Sequence, residues 1–314
     1  VSDATPDPLA GLRAPPAPPD PRAASLLRPA SGALREGETV IVGLPYDGGI
    51  PTRPGARFGP RAIREALAAF GTWNGERDAA PATDLGDLAL PTTDGREAHR
   101  RIEEAARTVF AAGARPVFLG GDHGCTGSVI RGLAAARPGL RLGLITVDAH
   151  LDVREYVDEA SLSSGTPFRR ALETEILDGA RVAMVGIRRF ANSRHYLDWA
   201  AARSIRLIGV DELSREGAAA TAAAALDVAA RDADALYLSI DMDAVDAAYA
   251  PGVSASGIGG ITAREMIELV TIVANHPRLI GADVMELSPP YDQDARTAKL
   301  AARLLLELLA GRGS

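Results

Sequence analysis

The sequence predicts a three-layer α/β/α fold built on a mostly parallel sheet, and two observations carry that prediction. From residue 116 onward, short apolar runs of strand type alternate with helical stretches, the pattern of parallel strands joined by helical crossovers. Several of those runs also end in carboxylate or imidazole side chains: 116–119 leads to His123, 141–147 to Asp148, His150 and Asp152, 236–240 to Asp241 and Asp243, and 280–285 to Glu286. In a parallel sheet these termini share one edge, which is where ligands bind.

Residues 1–35 are rich in Pro and Ala, as in Ala14-Pro15-Pro16-Ala17-Pro18-Pro19, and show neither helical nor strand periodicity. They read as an extended leader on a single domain of residues 36–314. The domain opens with strand 39–44, which runs into the Gly- and Pro-punctuated loop 45–51. Gly55, Gly59 and Pro60 follow, and Pro60 suits the first turn of a helix over 61–70. A less regular region holds Trp73 and the turn-rich 86–94, and a helix is predicted over 97–112. Strand 116–119 leads through Gly120-Gly121-Asp122-His123-Gly124 into a helix ending at 136. After strand 141–147 come strand 181–186 with helix 193–203, strand 205–210 with the alanine-rich helix 218–231, and strand 235–240 with helix 262–275. Strand 279–285 and the amphipathic helix 295–309 close the chain.

Composition narrows the function. With 314 residues, 46% apolar and 24% charged, the chain has enough apolar sequence to bury a sizeable core. A net charge of -7 argues against a nucleic-acid partner. The single cysteine, Cys125, excludes an intrachain disulfide and a cysteine-rich zinc module, and fits a reducing compartment. No apolar run reaches membrane-spanning length and no basic start precedes an apolar core, so a cytoplasmic protein without a membrane partner is expected.

The chemistry starts at Asp148, His150 and Asp152. In an extended segment, positions i, i+2 and i+4 point to one side, so two carboxylates and an imidazole converge. Unpaired buried charge of this kind is costly unless something neutralises it, and a cation is the obvious neutraliser. Taken singly, His123 after two glycines reads as a loop histidine, and Asp241 with Asp243 as turn or helix caps. Taken together, on coincident strand ends, they form a metal set of two imidazoles and four carboxylates without sulfur. Such ligation suits manganese or magnesium better than structural zinc, with iron and zinc left open. Four carboxylates balance two divalent ions, and a pair of ions activates water at neutral pH, so hydrolysis is the expected chemistry.

The segments Gly120-Gly121-Asp122-His123, Asp148-Ala149-His150-Leu151-Asp152 and Ser239-Ile240-Asp241-Met242-Asp243-Ala244-Val245-Asp246 resemble the signature motifs of the ureohydrolase family, which includes arginase, agmatinase and formimidoylglutamase. Residues 55–64 and 286–292 are also similar to family motifs, and the resemblance runs from Val40 to the C-terminus. It implies an arginase-like fold and two Mn2+ ions bridged by Asp148 and Asp241. His123 and Asp152 would complete one ion, His150 and Asp243 the other. Asp122 and Asp246 would orient ligands, or else cap turns. Glu286 would face the cationic amidine or guanidine unit of a small-molecule substrate, and Asp152 is the candidate for proton transfer. A homo-oligomer, trimer or hexamer, is also implied.

Within the family, Asp152-Val153-Arg154, residues 163–168, residues 189–193 with Asn192, Pro251-Gly252-Val253-Ser254-Ala255 and residues 292–298 look most like formimidoylglutamase. Arg154 lies two residues past Asp152 and suits a substrate carboxylate, whereas it would repel the second positive charge of agmatine. The competing reading pairs it with Glu155 or Asp158. Arg188 and Arg189 are further carboxylate candidates. Ser164 stands where arginases and agmatinases carry a histidine that relays protons, and it joins Arg154, Asn192 and Glu286 as a substrate-binding candidate. Gly124, Ala247 and Ser256-Gly257-Ile258 also depart from the family pattern. The expected reaction is hydrolysis of N-formimidoyl-L-glutamate to L-glutamate and formamide, in histidine breakdown. The alternatives are an agmatinase or guanidino-acid ureohydrolase releasing urea, and a catalytically silent, metal-stabilised binding protein.

Overall fold

The computed structural model describes residues 20–158 and 160–311. Its elements run β1 (Leu27–Pro29), β2 (Thr39–Leu44), α1 (Gly59–Ala66), β3 (Ala82–Asp87), α2 (Gly95–Ala111), β4 (Arg115–Gly120), α3 (Gly124–Ala136), β5 (Leu142–Val147), α4 (Pro167–Ala171), β6 (Leu177–Ile187), α5 (Arg194–Ala201), β7 (Arg206–Gly209), α6 (Val210–Glu216), α7 (Ala218–Ala229), β8 (Ala235–Asp241), α8 (Ala263–Ala274), β9 (Leu279–Met285) and α9 (Arg296–Ala310). The strands form one 9-stranded sheet in the order β1-β3-β2-β4-β9-β8-β5-β6-β7. Every pairing between adjacent strands is parallel.

Period-2 alternation sends the strand side chains to two separate cores. Ile41, Val117, Leu119, Ile145, Val147, Leu238 and Val284 face the layer of α1, α6, α7, α8 and α9. Val40, Val42, Phe118, Leu144, Met184 and Tyr237 face α2, α3, α4 and α5. The local signals that start the helices are visible in their caps. Asp94 accepts from the Glu97 amide at the head of α2. Thr262 and Glu265 form a capping box on α8. Among the described residues no helix is long and apolar enough to cross a membrane.

Besides shifted boundaries and the unexpected short helix α4, three elements differ from the sequence expectation. Leu27–Pro29, inside the stretch read as an extended leader, forms the edge strand of the sheet, and Ala23 beside it is fully buried. Its Pro29 is tolerated because an edge position has no ladder bond to lose. Residues 1–19, including the run 14–19, lie outside the described residues. The second difference is β3, whose last residues, Gly86 and Asp87, fall in the stretch read as turn-rich. Arg64 from α1 makes ion pairs of 2.8 Å to Asp84 and 2.6 Å to Asp87, which holds this polar strand in place. The third is Val210, which starts α6 rather than ending β7.

Topology creates the site. The chain passes from β4 directly to β5, and its last two strands, β8 and β9, later insert between them. Four neighbouring strands therefore end side by side, each followed by a polar residue singled out in the sequence. Close approach at that edge requires a small residue after β4: a Cβ on Gly121 would lie 1.7 Å from the Tyr46 carbonyl oxygen.

Beneath this edge, α2 and α3 are joined by His99, whose Nδ1 lies 2.8 Å from Ser128 Oγ. Burial, aided by the charge of Arg170, pushes His99 down to about 4. Since the folded value is depressed below about 6.5, the unfolded chain binds the proton first. This contribution is intact above about pH 6.5 and is lost as pH falls towards 4, by about 3 kcal/mol. His99→Gln is expected to remove that component of the slope in urea titrations between those pH values. A slope identical to wild type would contradict it.

Candidate metal centre

All six residues of the expected ligand set come together above the central strands. His123, Asp148, Asp152 and Asp241 form one group, and Asp148, His150 and Asp243 a second, with Asp148 common to both. His123 Nδ1 lies 3.2 Å from Asp148 Oδ2, 3.2 Å from Asp152 Oδ2 and 3.0 Å from Asp241 Oδ2. His150 Nδ1 lies 3.5 Å from Asp148 Oδ1 and 3.1 Å from Asp243 Oδ2. Asp148 thus turns one oxygen to each group. Asp241, implied as a second bridge, enters the first group only, and its Oδ1 accepts from the Asp243 amide at 2.7 Å.

Asp148 and Asp241 continue extended strands, and their direction follows from the ladder. Asp152 requires more: its φ is +47°, in the left-handed region that a residue with a Cβ seldom occupies. Glu286, which follows β9, shares this feature with φ +67°. Both are singled out by the sequence for chemistry, and strained backbone collects at functional sites.

The donor set fits divalent cations. His123 Nδ1 and Asp148 Oδ2 are buried atoms without hydrogen-bond partners among the described residues, and such orphans need a reason. Electrostatics agrees. Burial opposes charging of His123 and His150, yet the neighbouring carboxylates outweigh it, raising His123 well above the imidazole range and pushing His150 up to about 12. Asp152 is raised to about 6 by burial and the charge of Asp148, and burial with Asp243 and Asp148 raises Asp241 well above the carboxylate range. Against its burial, Asp148 alone is lowered, by its bonds to His123 and His150. A cluster whose two imidazoles and other shifted acids hold protons beyond their usual range carries surplus negative charge. Divalent ions would relieve it.

The centre forms the floor of a cavity of about 210 Å³. Glu286 lines it, but both its oxygens are engaged: Oε1 accepts from the His123 amide at 2.7 Å and Oε2 from the Ser254 hydroxyl. Burial and the charge of Asp122 push Glu286 up to about 8. Ser164 lines the same cavity, and its amide donates to the Gly49 carbonyl at 3.0 Å. Arg154 is exposed on the wall and packs over Gly165, where a Cβ would meet its Cδ at 2.8 Å. The competing partners are occupied elsewhere, Glu155 by His195 at 3.1 Å and Asp158 by Ala160 and Ser161.

Other candidates have different work in the structure. Asn192 touches an adjoining chamber, but its Oδ1 accepts from Leu151 N at 2.9 Å and its Nδ2 donates to Ala149 O at 3.0 Å. It clamps the backbone on both sides of His150. Arg188 donates to the Asp243 carbonyl and Arg189 pairs with Asp211 on the surface, so neither is turned to a substrate. Asp122 accepts from Gly49 N at 2.8 Å and ties down the loop over the site. Asp246 caps its own loop through Ala248, Gly259 and Gly260. The sequence reading missed the buried Asp283, which bonds Ser239, Thr126 and Tyr237. Its signal was an acid inside an otherwise apolar strand.

A metal centre of this kind has a thermodynamic signature. Mn2+ at about a hundred times its Kd is expected to stabilise the fold by about 2.7 kcal/mol per ion, read as a higher thermal midpoint. Asp148→Asn should abolish most of that shift. A midpoint unmoved by Mn2+, Mg2+ or Zn2+ contradicts the assignment.

Known proteins are similar to this chain along most of its length. The arginase family matches residues 37–311. A formimidoylglutamase from Halobacterium salinarum is 38% identical over 278 residues, spanning 87% of this chain and 88% of that protein. A guanidinopropionase from Pseudomonas aeruginosa is 38% identical over 275 residues, spanning 86% and 85%. Among solved structures, the formimidoylglutamase from Bacillus subtilis superposes with a TM-score of 0.89 at 28% identity, covering 96% of this chain and 95% of its own. Equal identity to relatives with different names leaves the substrate to the site itself. The family match over residues 37–311 and the 38% identity to relatives spanned over most of their length establish that this chain belongs to the arginase family.

Proposed function

We propose that the chain is a manganese-dependent amidinohydrolase that converts N-formimidoyl-L-glutamate and water to L-glutamate and formamide. The observation that carries the choice of substrate is Arg154. A guanidinium on the wall of the cavity, packed over Gly165 and paired with neither neighbouring acid, is a site for a substrate carboxylate. An arginine there is unfavourable for agmatine, which carries a cation at its far end. The oxygen-rich ligand set favours manganese over a thiolate-seeking metal. When bound, a pair of divalent ions supplies activation of water and charge stabilisation at the carbon attacked.

The chain's own groups do the rest. Glu286 lies beside the centre and is held by Ser254 and the His123 amide, a position that suits contact with the amidine nitrogens. Asp152, at the cavity side of the first group, is placed to hold a proton on its way to the leaving amine. Ser164 does not replace the relay histidine of arginases, because an unaided hydroxyl titrates too high to act as a base. Asn192 holds the His150 segment from both sides.

A second reading is favoured by the guanidinopropionase likeness. Guanidino acids also carry a carboxylate, and Arg154 would bind it in the same way. Manganese-loaded enzyme assayed with formimidoylglutamate, guanidinobutyrate, agmatine and arginine, with formamide, ammonia and urea measured separately, divides the two. Formamide from formimidoylglutamate is expected. Urea from a guanidino acid would shift the assignment to that reading, and metal binding without turnover would point to a silent binding protein. Arg154→Ala should raise KM for the carboxylate-bearing substrate about 10- to 100-fold, as loss of a charge-assisted hydrogen bond worth about 1.5–3 kcal/mol requires. An unchanged KM would refute the carboxylate role.

A further inference from the structure

Asp283 is an acid in the middle of β9, and it is completely buried. Three hydroxyl groups converge on it. Ser239 Oγ donates to Oδ1 at 2.6 Å, while Thr126 Oγ1 and Tyr237 OH donate to Oδ2 at 2.9 Å each. The sheet brings them together. Ser239 and Asp283 are register partners on β8 and β9, and Tyr237, two residues before Ser239, projects from the same face. A carboxylate is acceptor-only, so a group surrounded by three donors is matched in that state.

The network reaches the metal centre through one more atom pair. Ser239 Oγ lies 2.9 Å from His123 Nε2. A serine hydroxyl has one proton, and here that proton is committed to Asp283. Its oxygen therefore accepts, and His123 must donate from Nε2. With the proton on Nε2, a neutral imidazole keeps its lone pair on Nδ1, the buried atom that faces Asp148, Asp152 and Asp241. We propose that Asp283, acting through Ser239, is a positioning residue that holds His123 in the tautomer and orientation needed to ligate a metal ion. The inference rests on the metal-centre assignment and goes beyond it, because it gives a role to a residue three positions from Glu286 that touches neither ion group nor substrate cavity.

The chemistry gives an isosteric test. In Asp283→Asn the side-chain carbonyl is best placed where two hydroxyls donate, which turns the amide NH2 towards Ser239. Ser239 then accepts from Asn and donates its own proton to His123 Nε2. The imidazole proton moves to Nδ1, where it blocks ligation. Stepwise Mn2+ dissociation constants of the full chain, measured calorimetrically and by the electron paramagnetic resonance signal of free Mn2+, read this directly. Asp283→Asn is expected to weaken one of the two steps by about 10- to 100-fold, the usual range for a lost outer partner of a metal-binding histidine. Ser239→Ala, which removes the middle link with little change in volume, should weaken the same step. Tyr237→Phe removes a donor to Asp283 but leaves the Ser239 contact, so it should lower stability while leaving both steps unchanged.

Unchanged dissociation constants in Asp283→Asn would overturn the proposal, as would a loss in Tyr237→Phe equal to that in Asp283→Asn, which would make the network a packing device. If Asp283→Asn does not fold, Ser239→Ala decides, and an unchanged step there overturns the proposal as well. A wild-type chain that binds no metal would instead remove the metal-centre assignment on which it rests.

Discussion

Surplus negative charge, buried at the carboxyl edge of four adjacent parallel strands, is the constraint on which the rest of the structure depends. Four carboxylates and two imidazoles crowd into one small volume at the top of the core, and burial of unneutralised charge is among the costliest things a fold can do. The strand order makes the concentration possible, since β8 and β9 insert between β4 and β5. The loops complete it at the cost of left-handed backbone at Asp152 and Glu286. A fold with this much opposing electrostatics holds together best when cations occupy the centre.

The site divides into a rigid end and an adaptable end. The candidate ligands lie at or within a few residues of the ends of core strands, and their partners include backbone amides and the buried Ser239 hydroxyl. Residues of the cavity's outer wall, Arg154, Ser164 and Gly165, belong to a connecting segment between β5 and α4. Loops tolerate change that strands do not. Relatives of different name stand at equal identity to this chain, and one fold commonly hosts several functions through its loops.

What the sequence revealed followed the strength of local signals. A strand buried on both faces must be apolar along its whole length, so β5 was legible, and so were the polar residues that break the apolar pattern at strand ends. The edge strand β1 and its neighbour β3 were not, since one is three residues long with a proline and the other is built from Asp84, Gly86 and Asp87. Their strand character comes from neighbours: β3 for β1, and β2 with the Arg64 guanidinium for β3. Among site residues, the ligand set was readable from alternation. Asn192 was placed on substrate, yet its amide clamps the chain around His150, a backbone role that spacing cannot display. Asp283 was overlooked because the hydroxyls that satisfy it are distant in sequence.

The central claim is that two ions occupy this centre, and anomalous diffraction at the manganese edge from crystals of the Mn2+-loaded chain tests it most directly. The account predicts two anomalous peaks per chain on either side of Asp148, one against His123 Nδ1 and the other against His150 Nδ1. A single peak, or peaks away from these nitrogens, would contradict it.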